Sequence, residues 1–242
     1  MLMALSCIHC RRNQRATSKH PIRILPLGDS LTEGGRDPWS HQSYRGYLYT
    51  LLVQAGFHVD FVGTQRRAPH GGGDPDHEGH GGFTIGPVDT RICPAYDLFS
   101  NLESYLSSKP DIVLLMIGIN DLLTDDRRCV DRRSAPDRLE MLVHRIVELR
   151  PEAQLLLASL LPVEEAPNPW PEFDAMNQRA ALIAATLPQV QFVDACRETG
   201  LASGDWSDGL HLSRSGAQKL AYVWFRRLKP LLETRRNAAV GD

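Results

Sequence analysis

Five short apolar runs rich in β-branched residues punctuate the chain: Ile22 to Leu27, His58 to Gly63, Ile112 to Ile117, Gln154 to Ser159 and Val190 to Asp194. Each has the length of a strand. Between them the apolar period lengthens. Tyr44, Tyr47, Leu48, Leu51, Leu52 and Ala55 recur at helical spacing, and Gly56 follows where a C′ glycine belongs. Leu98, Leu102, Tyr105 and Leu106 form a second stripe that stops before Pro110, and Leu139, Leu142, Val143, Ile146 and Val147 form a third that stops at Pro151. Phe173, Met176, Ala180, Ile183, Ala184 and Leu187 make a fourth. The last and strongest places Ala217, Leu220, Ala221, Trp224, Phe225 and Leu228 on one face, with Ser213 or Ser215 as N-cap.

Strands that alternate with helices, and that read as nearly continuous apolar runs, imply a parallel sheet covered on both faces. The expectation is an α/β chain of flavodoxin-like, three-layer α/β/α form, with a five-stranded parallel sheet in the doubly wound order 2-1-3-4-5. The glycine-rich stretch from Arg66 to Gly86, with Pro69 and Pro75, has no apolar period and reads as a long irregular loop, a usual place for function. Arg11 to Lys19 carries four bases and no acid. Residues 1–20 are therefore expected to be a disordered basic leader, 21–234 one folded domain, and 235–242 a flexible tail.

Composition narrows the classes. A net charge of −2 argues against a dedicated nucleic-acid binder. The longest apolar runs fall far short of the ~18 residues of a membrane span. Cysteines at 7, 10, 93, 129 and 196 are too scattered for a disulfide framework. Cys7-x-x-Cys10 lacks a second ligand pair, and His77, His80, Asp74, Asp76 and Glu78 match no strong metal signature. No signal peptide is read at the N-terminus, so a cytoplasmic protein without metal or organic cofactor is expected.

In a doubly wound sheet, ligands bind beyond the carboxyl ends of the strands where strand order reverses. Strand one ends in Gly28-Asp29-Ser30-Leu31 and strand three in Gly118-Ile119-Asn120-Asp121, so two polar, glycine-led turns should face each other there. A serine hydroxyl needs an adjacent base to be a nucleophile. Among nine histidines, His211 fits best, because Asp208-Gly209-Leu210-His211 lies between strand five and the last helix, again at the carboxyl edge. The two-residue spacer can set the Asp208 carboxylate beside the imidazole. Donors for a tetrahedral oxyanion are available from the Asn120 amide, the Ser30 backbone N–H, and a glycine of His80-Gly81-Gly82-Phe83. Asp29, His80 and Trp206 are candidate substrate contacts, with Trp39 and Trp170 as further loop aromatics. A carboxylate on as tight a turn as Asp29 is also suited to bonding nearby backbone groups, and Asp121 reads as structural.

Gly28-Asp29-Ser30-Leu31, the loop glycine, Gly118-x-Asn120-Asp121 and Asp208-x-x-His211 resemble the four blocks of the SGNH hydrolases, also called GDSL esterases and lipases, in order and spacing over nearly all of residues 22–232. With His77-Glu78-Gly79-His80-Gly81-Gly82-Phe83, the chain further resembles the branch of family-three carbohydrate esterases, which are acetyl xylan esterases. The resemblance implies Ser30 as nucleophile, His211 as base and Asp208 as orienter. It also implies an oxyanion hole from Ser30 N–H, Gly82 N–H and Asn120, with Gly82 chosen over Gly81 because the family glycine precedes the residue opening the next helical segment. The expected substrates are short acyl esters, acetyl first, on a small molecule or oligosaccharide. The alternatives are a thioesterase or lysophospholipase for longer chains, or a non-catalytic binding module. An FMN site is disfavoured because Asp29 and Glu33 stand where phosphate would sit.

Overall fold

A computed structural model describes residues 20–35, 42–88, 96–123, 130–164 and 171–238. The expectations for the leader before His20, for Trp39, Trp170, Cys7, Cys10, Cys93 and Cys129, and for residues 239–242 lie outside the described residues.

The elements in chain order are β1 (Ile22–Gly28), α1 (Ser30–Glu33), α2 (Arg45–Gln54), β2 (Val59–Phe61), β3 (Gln65–Arg66), β4 (Asp76–Gly79), α3 (Leu102–Tyr105), β5 (Ile112–Met116), α4 (Ile119–Leu122), α5 (Ala135–Leu149), β6 (Gln154–Ala158), α6 (Pro171–Thr186), β7 (Val190–Val193), α7 (Ala195–Glu198) and α8 (Arg214–Ala238). β2, β1, β5, β6 and β7 pair in parallel in that spatial order, which is the doubly wound order expected. The strands sort their side chains by parity. Leu25, Leu27, Val113, Leu115, Leu155 and Leu157 enter one core layer with the apolar faces of α3, α5 and α6. Ile24, Ile112, Leu114, Met116, Leu156 and Ala158 enter the other with α2 and α8, where the rings of Tyr44 and Trp224 meet at 5.7 Å.

The structure departs from the sequence reading in three places. The stretch from Arg66 to Gly86 is not wholly irregular: β3 and β4 form a small antiparallel ladder, and β4 lies parallel to the carboxyl end of β1 through Leu27↔Glu78 and Gly28↔Gly79. Its residues are polar and so carry no strand period, yet His77 and Glu78 are fully buried because each has a hydrogen-bond partner. The second apolar stripe is not one helix but a single α turn between two tighter turns, Phe99–Asn101 and Leu106–Ser108. Serines and an asparagine there hold the backbone less firmly in a helix than the apolar spacing suggests, and the Asp97 carboxylate takes both the N–H and the hydroxyl of Ser100. Finally, α8 runs four residues into the expected tail. Arg235 donates to the Asp111 carbonyl at 3.3 Å, and Arg236 lies over the Phe57 ring at 5.1 Å, which keeps that last turn packed.

Candidate active site

β1 delivers Ser30 to the carboxyl edge of the sheet on an abrupt strand-to-helix turn. Gly28 is required there, since a Cβ on it would meet the Met116 carbonyl oxygen at 2.2 Å and Thr32 Oγ1 at 2.6 Å. Asp29 caps α1: its backbone is extended and its carboxylate accepts the Leu31 N–H at 3.0 Å. Asp29, a candidate substrate contact, is 1% exposed, and its carboxylate holds the serine turn. Beneath the turn, Arg45 is fully buried and donates to the carbonyls of Thr32 at 2.8 Å and Glu33 at 3.0 Å. Burial is the main influence lowering its pKa, to about 10, so it stays a cation at the carboxyl end of α1, where cations are favoured.

His211 comes from the loop between α7 and α8, which is braced across its neck. Trp206 and Leu212 pair as an antiparallel bridge, Ser207 N–H donates to the His211 carbonyl at 2.8 Å, and Ser213 N–H donates to the Asp205 carbonyl at 2.9 Å. Asp205 is in turn anchored on α8 by Lys219 at 2.6 Å. Trp206, expected against the substrate, packs into the α2–α8 core layer and braces the loop. Ser213 immediately precedes α8, but its hydroxyl donates to the Gly204 carbonyl at 2.8 Å.

At the top of this loop, His211 Nε2 lies 2.9 Å from Ser30 Oγ, and His211 Nδ1 lies 2.8 Å from the Asp208 carboxylate. The other Asp208 oxygen accepts the N–H groups of His211 at 2.8 Å and Leu210 at 3.1 Å. Partial burial pushes the Asp208 carboxyl up, but these bonds to His211 and Leu210 outweigh it and hold it below the usual carboxylate range. Serine, histidine and aspartate thus stand in a hydrogen-bonded line contributed by two distant parts of the chain.

The third wall is the turn after β4. His80 N–H donates to the Gly28 carbonyl at 2.9 Å and Phe83 N–H closes onto the His80 carbonyl at 3.1 Å, with Gly82 between them at φ +81°. A Cβ built on Gly81 would lie 3.8 Å from that of Ser30. Gly81 N–H donates to the Glu33 carboxylate at 2.6 Å. Asn120 is the second residue of α4 and gives one amide hydrogen to the Phe83 carbonyl at 2.9 Å. Asp121, fully buried, ties α4 to Ile85 N–H at 3.0 Å and to Arg138 at 2.7 Å; burial raises its pKa against the opposing pull of Arg138. His80, a candidate substrate contact, is stacked on Phe83 and Tyr105 and its Nε2 is paired with Glu78 at 2.8 Å, so it backs the glycine turn. The acids and histidines of residues 74–80 are spread over separate tasks: Asp74 accepts the N–H groups of Phe61 and Asp76, Asp76 pairs with Arg66, and His77 Nδ1 accepts the Gly79 N–H.

Sequence reasoning missed Glu33, Arg45 and Arg67 as parts of this architecture. Of the three, only Glu33 stands beside a recognisable motif.

The model of the GDSL-like lipase/acylhydrolase family matches residues 27–219, a span that takes in the serine turn, the glycine turn, Asn120 and the Asp208–His211 loop. The chain belongs to this family. It is 33% identical to a family 3 carbohydrate esterase from Clostridium thermocellum, whose structure it matches with a TM-score of 0.70 over 89% of this chain and 99% of that one. A family 3 carbohydrate esterase from Talaromyces cellulolyticus, at 23% identity and a TM-score of 0.70 over 88% of this chain and 99% of that one, shares the fold. A multidomain esterase of Ruminococcus flavefaciens is 26% identical over 237 residues, which cover 88% of this chain. The chain spans 29% of that protein's length and 54% of that of the putative endoglucanase X of Acetivibrio thermocellus, 32% identical over 136 residues. Carboxylic ester hydrolysis is therefore the chemistry of its family.

Proposed function

We propose that the chain is a serine esterase that cleaves short-chain carboxylic esters through an acyl-enzyme, with acetylated sugars as substrates. The observation that carries this reading is the line Ser30 Oγ, His211 Nε2, His211 Nδ1, Asp208, with contacts of 2.9 and 2.8 Å. A hydroxyl in that position can pass its proton to Nε2 as Oγ attacks an ester carbonyl, while the carboxylate holds the tautomer and stabilises the imidazolium. The carbonyl oxygen becomes an oxyanion received by the N–H groups of Ser30 and Gly82 and the second amide hydrogen of Asn120. His211 then gives its proton to the departing alcohol. In the second half it takes a proton from water, which attacks the acyl carbonyl and releases the acid and Ser30. Acetylated sugar as the substrate rests on the likeness to the Clostridium thermocellum carbohydrate esterase.

The test is hydrolysis of p-nitrophenyl acetate, butyrate and octanoate by wild type and Ser30→Ala, purified side by side. Turnover highest on acetate, falling with chain length and abolished in the variant, is expected. A preference for octanoate contradicts the acyl assignment and favours lipid or thioester substrates. Activity that survives in Ser30→Ala contradicts the nucleophile.

A further inference from the structure

The oxyanion turn is strapped on both sides of Gly82. On one side the Phe83 carbonyl accepts from Asn120 Nδ2 at 2.9 Å. On the other, Gly81 N–H donates to Glu33 Oε2 at 2.6 Å, a charge-assisted bond at the short end of its range. Glu33 is the last residue of α1, the helix that Ser30 begins. Its second oxygen, Oε1, is held by Arg67 Nη1 at 2.7 Å, and the same Nη1 lies 3.2 Å from the Gly34 carbonyl. Glu33 and Arg67 are three-quarters buried, with side-chain exposures of 21% and 28%.

We infer that Glu33, clamped by Arg67, is a positioning residue that sets the oxyanion turn at a fixed distance from the nucleophile. The inference rests on the function proposed above. Two of the three oxyanion donors ride on elements already joined to each other, Ser30 on α1 and Asn120 on α4 beside β5, whereas Gly82 and its neighbour Gly81 have no side chains to pack and lie between the anchored ends of their turn, His80 on the Gly28 carbonyl and Phe83 on Asn120. Between those ends a glycine pair is free to sample many conformations, so a further tie to the helix carrying Ser30 narrows where the donor sits. The tie must be an acceptor on α1 that reaches across to Gly81, and a glutamate one turn after the serine does so. A carboxylate one residue from the oxyanion would oppose the developing negative charge, and the Arg67 guanidinium offsets it. The strap and its counter-charge are thus separable: Glu33 supplies position and Arg67 supplies neutrality.

Steady-state kinetics on p-nitrophenyl acetate test this, together with inhibition by a small alkyl boronic acid, whose tetrahedral adduct on Ser30 mimics the oxyanion. Thermal melting of Glu33→Ala, Glu33→Gln, Arg67→Met and the double variant Glu33→Gln/Arg67→Met accompanies both. Glu33→Ala is expected to lower kcat about ten- to hundredfold, as a misplaced catalytic donor does, with KM little changed and boronate affinity weakened in parallel. Glu33→Gln, which keeps the acceptor, recovers most of that loss. Arg67→Met lowers kcat in the presence of Glu33 and does less harm when residue 33 is glutamine, because no bare charge remains. The double-variant comparison stands on its own if Glu33→Ala fails to fold. The inference is overturned if Glu33→Ala keeps kcat and boronate affinity, or if glutamine recovers nothing, or if Arg67→Met is equally harmful in both backgrounds. A wild type that turns over no ester overturns the proposed function itself and the strap with it; an active wild type with an inactive Ser30→Ala leaves the function standing whatever Glu33 does.

Discussion

The Asp208 carboxylate keeps 53% of its side-chain surface in water, so its attraction for an imidazolium is screened. Its geometric work is better supported: three N–H groups, two from His211, converge on its oxygens and aim the ring at Ser30. Asn120 is 4% exposed and has no such freedom. One of its amide hydrogens is spent on the Phe83 carbonyl, which fixes the plane of the amide. Asn120→Ala is expected to lower kcat on the order of 10²–10³-fold, the usual cost of removing one oxyanion donor, with KM nearly unchanged on p-nitrophenyl acetate. A kcat close to wild type contradicts its place in the oxyanion hole. Ser30, Asn120, Asp208 and His211 stand out in the sequence as candidates because each belongs to a short motif, the first two just past a strand and the last two in the loop before the final helix. Glu33, Arg45 and Arg67 were not, because they bond main-chain groups of segments far along the chain, and such contacts leave no spacing to detect.

At the scale of elements, the long helices α2, α5, α6 and α8 and the five main strands were legible because they bury apolar residues at regular periods. β4 was opaque because it is buried through polar side chains. Its His77 ring is 1% exposed at the residue level, its Nδ1 accepts from Gly79, and its Nε2 has no hydrogen-bond partner among the described residues. Burial above all, with Arg45, Arg67 and His80 nearby, drives its pKa down to about 2. An unfolded histidine titrates near ~6.5. Below that pH the unfolded chain binds a proton that the folded one refuses, so stability present at neutral pH is progressively lost as pH falls. This single group should cost about 2 kcal/mol between pH 7 and pH 5. Urea unfolding of wild type and His77→Asn at both pH values checks it: the pH sensitivity of the wild type should shrink in the variant by about that amount. Equal sensitivity in both proteins would show that His77 does not remain neutral in the fold.

Across the whole molecule, the two core layers on either face of the sheet make a rigid floor whose carboxyl edge carries every candidate catalytic group. β1 sits at the centre of that floor with β5 on one side and β2 and β4 end to end on the other. The split on that side is what brings the glycine turn over Ser30, since β4 registers with the last two residues of β1 only. A five-strand reading of the sequence points to this edge by the switch-point rule, yet cannot show how the glycine turn reaches it. The central claim is that Ser30 carries the acyl group between two half-reactions. Intact-protein and peptide mass spectrometry of an acid-quenched reaction with p-nitrophenyl acetate addresses it most directly. One acetyl group on the peptide containing Ser30, lost on incubation before quenching and absent from Ser30→Ala, is the expected result. Steady turnover with no acetyl at Ser30, or acetyl found on another residue and chased at the turnover rate, would contradict it.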